Sequence, residues 1–158
     1  MSEQSLAVVM PCYNERATIE PIVERVLASP FTAEVIIVDD GSTDGTRDIL
    51  QKLARDPRVQ VHEQPFNQGK GAALRRGFSE VRAPYAIVQD ADLEYDPNDY
   101  GVMIEPLLDG RADVVFGSRF QGQAAHRVLY FWHSIGNKVL TLLSNMFTDL
   151  NLSDMETC

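Results

Sequence analysis

The sequence predicts an α/β domain with a largely parallel sheet covered by helices. Two observations carry this. Short apolar runs that read as strands alternate five times with stretches of helical spacing, and the residues just after those runs are polar or turn-forming. With 158 residues the chain fits one domain, able to bury about 70% of its unfolded surface around a single core. In such sheets ligands bind at the carboxyl ends of the strands. Tyr13, Asp40, Asp92 and Arg119 each fall just after a strand, so polar residues converge on one rim.

Residues 6–10 form the first strand, closed by Pro11. The loop Pro11-Cys12-Tyr13-Asn14-Glu15 gives way to a helix on which Ile19, Ile22, Val23, Val26 and Leu27 recur at helical spacing, until Ser29-Pro30 stops it. Residues 34–38 make the second strand. It ends in Asp39-Asp40-Gly41-Ser42-Thr43-Asp44-Gly45-Thr46, turn residues that also cap a helix over 46–54. Residues 59–62 read as a weaker third strand. Asn67-Gln68-Gly69-Lys70-Gly71 opens a helix carrying Ala72, Ala73, Leu74, Phe78 and Val81, with Gly69 and Gly71 expected to serve tight helix-to-sheet packing. Residues 85–89 form a buried fourth strand, followed by a helix near 99–108. Residues 113–116, Asp-Val-Val-Phe, make a fifth strand that ends in Gly117-Ser118-Arg119-Phe120.

Residues 127–147 carry a long helical pattern that is apolar almost all round, from Leu129 and Tyr130 through Trp132, Ile135, Val139 and Leu142 to Phe147. Its length nears the ~20 residues of a membrane span, but His133, Asn137 and Lys138 near its middle oppose spanning. Two placements remain. The helix packs in the core, or it rests on a membrane surface with Tyr130 and Trp132 at the interface.

Composition narrows the function classes. At 44% apolar and 23% charged residues the chain is globular. A formal charge of −9 excludes nucleic acid as a general partner, because phosphate backbones are bound by Lys and Arg. A small phosphate ligand stays compatible if a metal reverses the local sign. Cys12 and Cys158 are too few for a disulfide framework, and the acidic start Met1-Ser2-Glu3-Gln4-Ser5 has no signal-peptide character, so a cytoplasmic location is the expectation.

The most informative stretch is Gln89-Asp90-Ala91-Asp92-Leu93-Glu94. On extended backbone, side chains two residues apart point the same way, so Asp90 and Asp92 share one face at the edge of the fourth strand. Two carboxylates that close repel, and a hard cation such as Mg2+ or Mn2+, completed by substrate phosphate oxygens, relieves the repulsion. With Asp96 and Asp99 following, a solvated acidic loop fits the same residues. Two nucleotide signatures fail: a dinucleotide fold wants G-x-G-x-x-G where Pro11-Cys12-Tyr13-Asn14 stands, and a Walker A loop wants glycine where Gln64 stands and Ser or Thr where Gly71 stands.

Taken together, Val9-Met10-Pro11-Cys12-Tyr13-Asn14-Glu15, the Val38-to-Thr46 turn, Asn67-Gln68-Gly69-Lys70-Gly71-Ala72-Ala73 and Asp90-Ala91-Asp92-Leu93-Glu94 resemble the family 2 inverting glycosyltransferases. The likeness runs from about Leu6 to the last residue. It is greatest to the dolichol- or polyprenyl-phosphate mannosyl- and glucosyltransferase branch. It implies the GT-A fold, a nucleotide-diphospho-sugar transferase architecture with a mostly parallel mixed sheet flanked by helices. It also implies a single catalytic domain over residues 1–158 whose family pattern continues past Cys158.

Position by position, the resemblance implies that Pro11, Tyr13 and Glu15 embrace the nucleotide, and that Val38 and Asp40 contact base and ribose. A turn with helix capping is the alternative reading of Asp39 and Asp40, more so for Asp39 than for Asp40. Lys70 is a candidate for the diphosphate. Asp90, Ala91 and Asp92 match the D-x-D that meets donor and metal, with Glu94 a further metal contact for Mg2+ or Mn2+. Arg119 matches a basic position near the donor or acceptor phosphate, and Arg has the geometry for bidentate phosphate contacts. Arg127 and His133 are further candidates for the acceptor phosphate. Asp154, in Leu152-Ser153-Asp154-Met155-Glu156-Thr157-Cys158, aligns with the carboxylate proposed as catalytic base, beside Asp92 at the metal.

The implied reaction moves a hexose from a GDP- or UDP-sugar to a polyprenyl phosphate, with peripheral membrane contact at the cytoplasmic face. Transfer to a saccharide or glycan, and a nucleotide-sugar-binding module without turnover, are the alternatives. A nucleotidyltransferase is disfavoured, since Pro11 to Glu15 lacks a Gly-rich loop with a basic residue.

Overall fold

The computed structural model describes residues 5–118 and 131–155, the side chains of Phe131 and His133 excepted. The chain divides into two compact units, Met1–Gly101 and Val102–Cys158.

The first unit holds a four-stranded sheet: β1 (Leu6–Cys12), β2 (Thr32–Asp39), β3 (Val59–Glu63) and β4 (Tyr85–Val88), in the order β3-β2-β1-β4. All three pairings are parallel. Parallel neighbours need crossovers, and these are α1 (Ile19–Ala28), α2 (Thr46–Leu53) and α3 (Lys70–Phe78). Two steps run outward from β1 through β2 to β3, and the third jumps back past β1 to β4. Right-handed crossovers then put α1 and α2 on one face and α3 on the other. The contacts agree: α3 packs on β1 and β2, whereas α1 packs on β2 and α2.

Covered on both faces, β1 and β2 are buried along nearly their whole length, which is why they read as continuous apolar runs. α1 buries Ile19, Ile22, Val23 and Val26, the stripe expected from its spacing, and it stops at Ser29 because a residue before proline is driven to extended backbone. β4 departs from expectation. Among the described residues it pairs only with β1, and it is partly exposed rather than buried, as a strand with one neighbour is.

Gly77 sets the distance of α3 from the sheet. A Cβ there would stand 2.4 Å from Val9 Cγ1 and 3.4 Å from Val38 Cγ2. The close-packing glycine is therefore Gly77 and not Gly69 or Gly71, neither of which faces the sheet. A Cβ on Gly69 would meet nothing within 4 Å, and one on Gly71 only the Arg75 guanidinium. Gly69 is required for another reason: its φ of +89° starts α3.

A 3-10 turn (Pro97–Asp99), capped by the Asp96 side chain, leads into α4 (Tyr100–Leu108), which begins in the first unit. In the second unit, residues 113–116 do not form the expected strand. A strand exists through its ladder, and this run has no ladder partner among the described residues. Val114 and Phe116 are both exposed.

Of the two placements open for this helix, α5 (Phe131–Thr148) does not show the first, an apolar face packed in a core. Its buried positions are polar, Asn137 and Thr141, while Trp132 is 77% and Phe147 88% exposed, with Val139, Leu142 and Met146 also exposed. The polar stripe is taken by the chain that follows. Asn145 exchanges hydrogen bonds with the main chain of Leu152 at 2.9 Å each way, and Thr141 Oγ1 accepts the Met155 N–H at 3.2 Å. Among the described residues no helix is long and apolar enough to cross a membrane.

Candidate nucleotide-sugar site

The sheet order makes a switch point at β1, from which one connection leaves toward β2 while β4 is added on the other side. That is where an open α/β sheet forms a ligand crevice. A cavity of about 300 Å3 lies there. Its wall comes from the β1–α1 loop (Pro11, Cys12, Tyr13, Glu15), the end of β2 (Asp40), the β3–α3 junction (Asn67, Gly69, Lys70), Ala73 of α3, and the loop after β4 (Asp90, Ala91, Asp92).

The loops are tied to one another. Asn14 adopts a left-handed φ of +58°, donates its N–H to Ser42 Oγ at 2.9 Å, and accepts the Thr43 N–H on its side-chain oxygen at 2.8 Å. The first two loops thus hold each other. Gly41 lets the third loop approach: at a φ of +82°, its Cβ would lie 2.8 Å from the main chain of Phe66 and Asn67.

Asp39 and Asp40 divide the work at the end of β2. Asp39 is fully buried, accepts the Ser42 N–H and pairs with Arg47 Nε at 2.6 Å, which in turn reaches the Gln64 carbonyl. It makes the turn that the sequence offers as its alternative role but caps no helix, since the N-cap of α2 is Gly45, without a side-chain cap. Asp40 accepts the Gln68 N–H on one oxygen and the Gly69 N–H on the other, each at 2.8 Å. It therefore builds the pocket as well as lining it, and each oxygen keeps a second lone pair for a ligand donor. The Val38 side chain is wholly buried, close to Gly77, and lies outside the wall.

Lys70 Nζ lies 2.6 Å from Asp90 Oδ1 and 2.9 Å from Oδ2, a contact across the pocket. Asp92 Oδ1 accepts the Glu94 N–H at 2.9 Å, an Asx turn that aims the D-x-D loop. Glu94 itself is exposed and outside the wall, and among the described residues no group of three or more metal-capable side chains is assembled. The wall carries four carboxylates, Glu15, Asp40, Asp90 and Asp92, and a single ammonium, Lys70, already paired with Asp90.

Cys12 was not singled out by the sequence and lines the cavity. Burial, then the charges of Asp39, Glu15 and Asp44, push its thiol up to about 12. It stays protonated at neutral pH and offers no nucleophile.

Asp154 belongs to the second unit. It is 1% exposed, and Asn137 Nδ2 of α5 donates to its Oδ1 at 3.5 Å. Arg119, Arg127 and the His133 side chain lie outside the described residues.

A parallel sheet with an acidic crevice at its switch point, a D-x-D loop after β4 and a lysine opposite defines the class: a GT-A glycosyltransferase-type domain. Residues 7–154 match the model of glycosyl transferase family 2, and the chain belongs to that family. A dolichyl-phosphate beta-glucosyltransferase, ALG5A, of Trichomonas vaginalis is 33% identical over 156 residues, covering 89% of this chain and 48% of the relative. The mannosyltransferase PcManGT from Pyrobaculum calidifontis, solved with GDP-Man and Mn2+, is 27% identical with a TM-score of 0.50, over 56% of this chain and 27% of that one. Glucosyl-3-phosphoglycerate synthase from Mycobacterium tuberculosis, solved with Mn2+, UDP-glucose and phosphoglyceric acid, is 28% identical with a TM-score of 0.56, over 68% and 40%. The chain thus spans about half the length of the curated relative or less.

Proposed function

We propose that this chain is the donor-binding part of a metal-dependent, inverting hexosyltransferase that uses a GDP- or UDP-sugar and transfers to a polyprenyl phosphate. The observation that carries the metal dependence is the charge of the crevice. A diphosphate entering beside four carboxylates and one already paired ammonium meets net repulsion, which a divalent cation removes. The donor set fits such an ion: it is made of carboxylate oxygens, and Mg2+ or Mn2+ is held by one or two of these plus substrate phosphates. Asp92 would hold it, with Glu94 as a further carboxylate of the same loop. When bound, the ion neutralises charge on the leaving diphosphate. Two solved structures similar to this chain carry Mn2+ with a nucleotide sugar, which supports the same reading.

In this reading Tyr13 and Asp40 hold the nucleoside and Lys70 turns from Asp90 to the diphosphate. The acceptor oxygen attacks the anomeric carbon from the face opposite the diphosphate. The new C–O bond forms as the anomeric C–O bond to phosphate breaks, its electron pair leaving with the nucleoside diphosphate. A phosphate acceptor is already ionised near pH 7 and needs no base; a hydroxyl acceptor would need Asp154 as one. Arg119 and Arg127 are the cations the sequence offers to an acceptor phosphate. A lipid acceptor is supported by the dolichyl phosphate in the name of the ALG5A relative and by the exposed apolar side chains of α5, which suit peripheral contact with a membrane.

The test is transfer itself. The whole protein is incubated with radiolabelled GDP-mannose or UDP-glucose, with and without Mn2+, and with polyprenyl phosphate or a free saccharide. Label passing into the organic phase only with Mn2+ and polyprenyl phosphate is the expected result. Label on the saccharide alone assigns the other acceptor class, and donor binding without transfer to either marks a module without turnover.

A further inference from the structure

Behind the D-x-D loop lies a buried polar cluster that the donor contacts leave unexplained. Gln89 precedes Asp90, and its main-chain N–H still pairs with the Val9 carbonyl at 3.0 Å, as if the strand continued. Its side chain is 2% exposed, a polar residue ending an apolar run. Nε2 donates to two carbonyls, Asp90 at 3.2 Å and Tyr95 at 3.3 Å, while Oε1 accepts the Tyr100 hydroxyl at 2.8 Å. Two carbonyls can only accept, so the amide nitrogen must face them and its oxygen must face Tyr100. The network thus admits a single orientation. Tyr100 is equally buried, and that burial, with the nearby Asp96 charge, pushes its hydroxyl pKa up, so that it remains a donor.

The two carbonyls lie near opposite ends of the loop 89–96, so one amide ties its two sides together. We propose that Gln89, oriented by Tyr100, is the positioning residue of the D-x-D loop: it sets the direction in which Asp90 and Asp92 present their carboxylates, and hence the affinity for a divalent cation with a diphosphate. It touches neither ligand, and it holds only if the donor site is as proposed above. Partners that orient metal-binding carboxylates typically change affinity 10–100-fold when removed.

The experiment compares the whole wild-type protein with Gln89→Leu, Tyr100→Phe and the double variant. Binding of UDP and GDP is measured with and without Mn2+ by calorimetry. Binding of uridine and guanosine, which carry no phosphate and do not need the acidic loop, is measured by NMR titration. Gln89→Leu is expected to weaken Mn2+-dependent diphosphate binding about 10–100-fold, and Tyr100→Phe by several-fold. The double variant should be no worse than Gln89→Leu, and nucleoside binding should not change. Tyr100→Phe removes one hydroxyl and keeps the test open if Gln89→Leu fails to fold. Wild-type diphosphate affinity in the variants, or equal weakening of nucleoside and diphosphate, would overturn the positioning role while leaving the donor site standing. Absence of Mn2+-dependent binding in the wild type would instead overturn the donor site, and the positioning role with it.

Discussion

The sheet of the first unit and α5 of the second are both written in apolar residues, yet they bury opposite things. β1 and β2 hide nearly every side chain, from Val8 and Ile36 to the charged Asp39, because helices cover both faces. α5 hides Asn137 and Thr141 and leaves Trp132, Leu142 and Phe147 exposed. An apolar run therefore states what a segment tolerates, and its neighbours decide what it buries. In the sheet those neighbours are supplied by the adjacent crossovers. In α5 the short segment after the helix takes the polar stripe, and the apolar one stays open.

Equal deletions in the two regions should thus have unequal costs. Ile36→Ala removes a wholly buried side chain from β2 and should destabilise the protein by about 2–5 kcal/mol in urea denaturation. Gly77→Ala comes next. Its Cβ collides with Val9 beneath α3, an overpacking that costs about 1–3 kcal/mol, and shrinkage of that loss on adding Val9→Ala would confirm the contact. Asp44→Ala should have a smaller effect. Asp44 accepts the Thr46 hydroxyl and N–H and the Arg16 N–H, and the Thr46 hydroxyl above all holds its carboxyl below the ordinary 3.8. A depressed folded-state pKa stabilises above the unfolded value. The Tm gap between wild type and Asp44→Ala should therefore be full at pH 7 and narrow as pH falls below 3.8. Smallest of all, Phe147→Ser on α5 should change stability by no more than about 0.5 kcal/mol, as at an exposed site. A loss like that of Ile36→Ala would break the comparison and mean that the α5 face is covered.

The four strands of the sheet and the helices between them were legible because turn-forming residues such as Pro30, Gly41 and Gly45 punctuate the apolar runs. Pro11 misled, since β1 continues through it to Cys12, paired with β2. The pocket residues were legible for the same reason, since a strand's end fixes where the next side chains emerge. What escaped depends on contacts between distant segments. Val-Val-Phe at 114–116 has strand composition but no ladder among the described residues. The choice of Gly77 over Gly69 and Gly71 as the close-packing glycine is made by Val9, far away in sequence. The double duty of Asp40 is invisible until the Gln68 and Gly69 amides arrive. Gln89 did carry a signal, an amide ending an apolar run, but its partners could not be read. In α5 an all-round apolar pattern gives no direction to its buried face.

We propose that the crevice at the carboxyl ends of the strands takes a nucleotide diphosphate only together with a divalent cation at Asp92. Calorimetric titration of UDP-glucose and GDP-mannose into the wild type and Asp92→Ala, with and without Mn2+, tests it directly. One donor should bind with Mn2+, fail to bind without it, and lose at least about 100-fold in affinity in Asp92→Ala. Donor binding that is indifferent to Mn2+ and to Asp92→Ala would contradict the account.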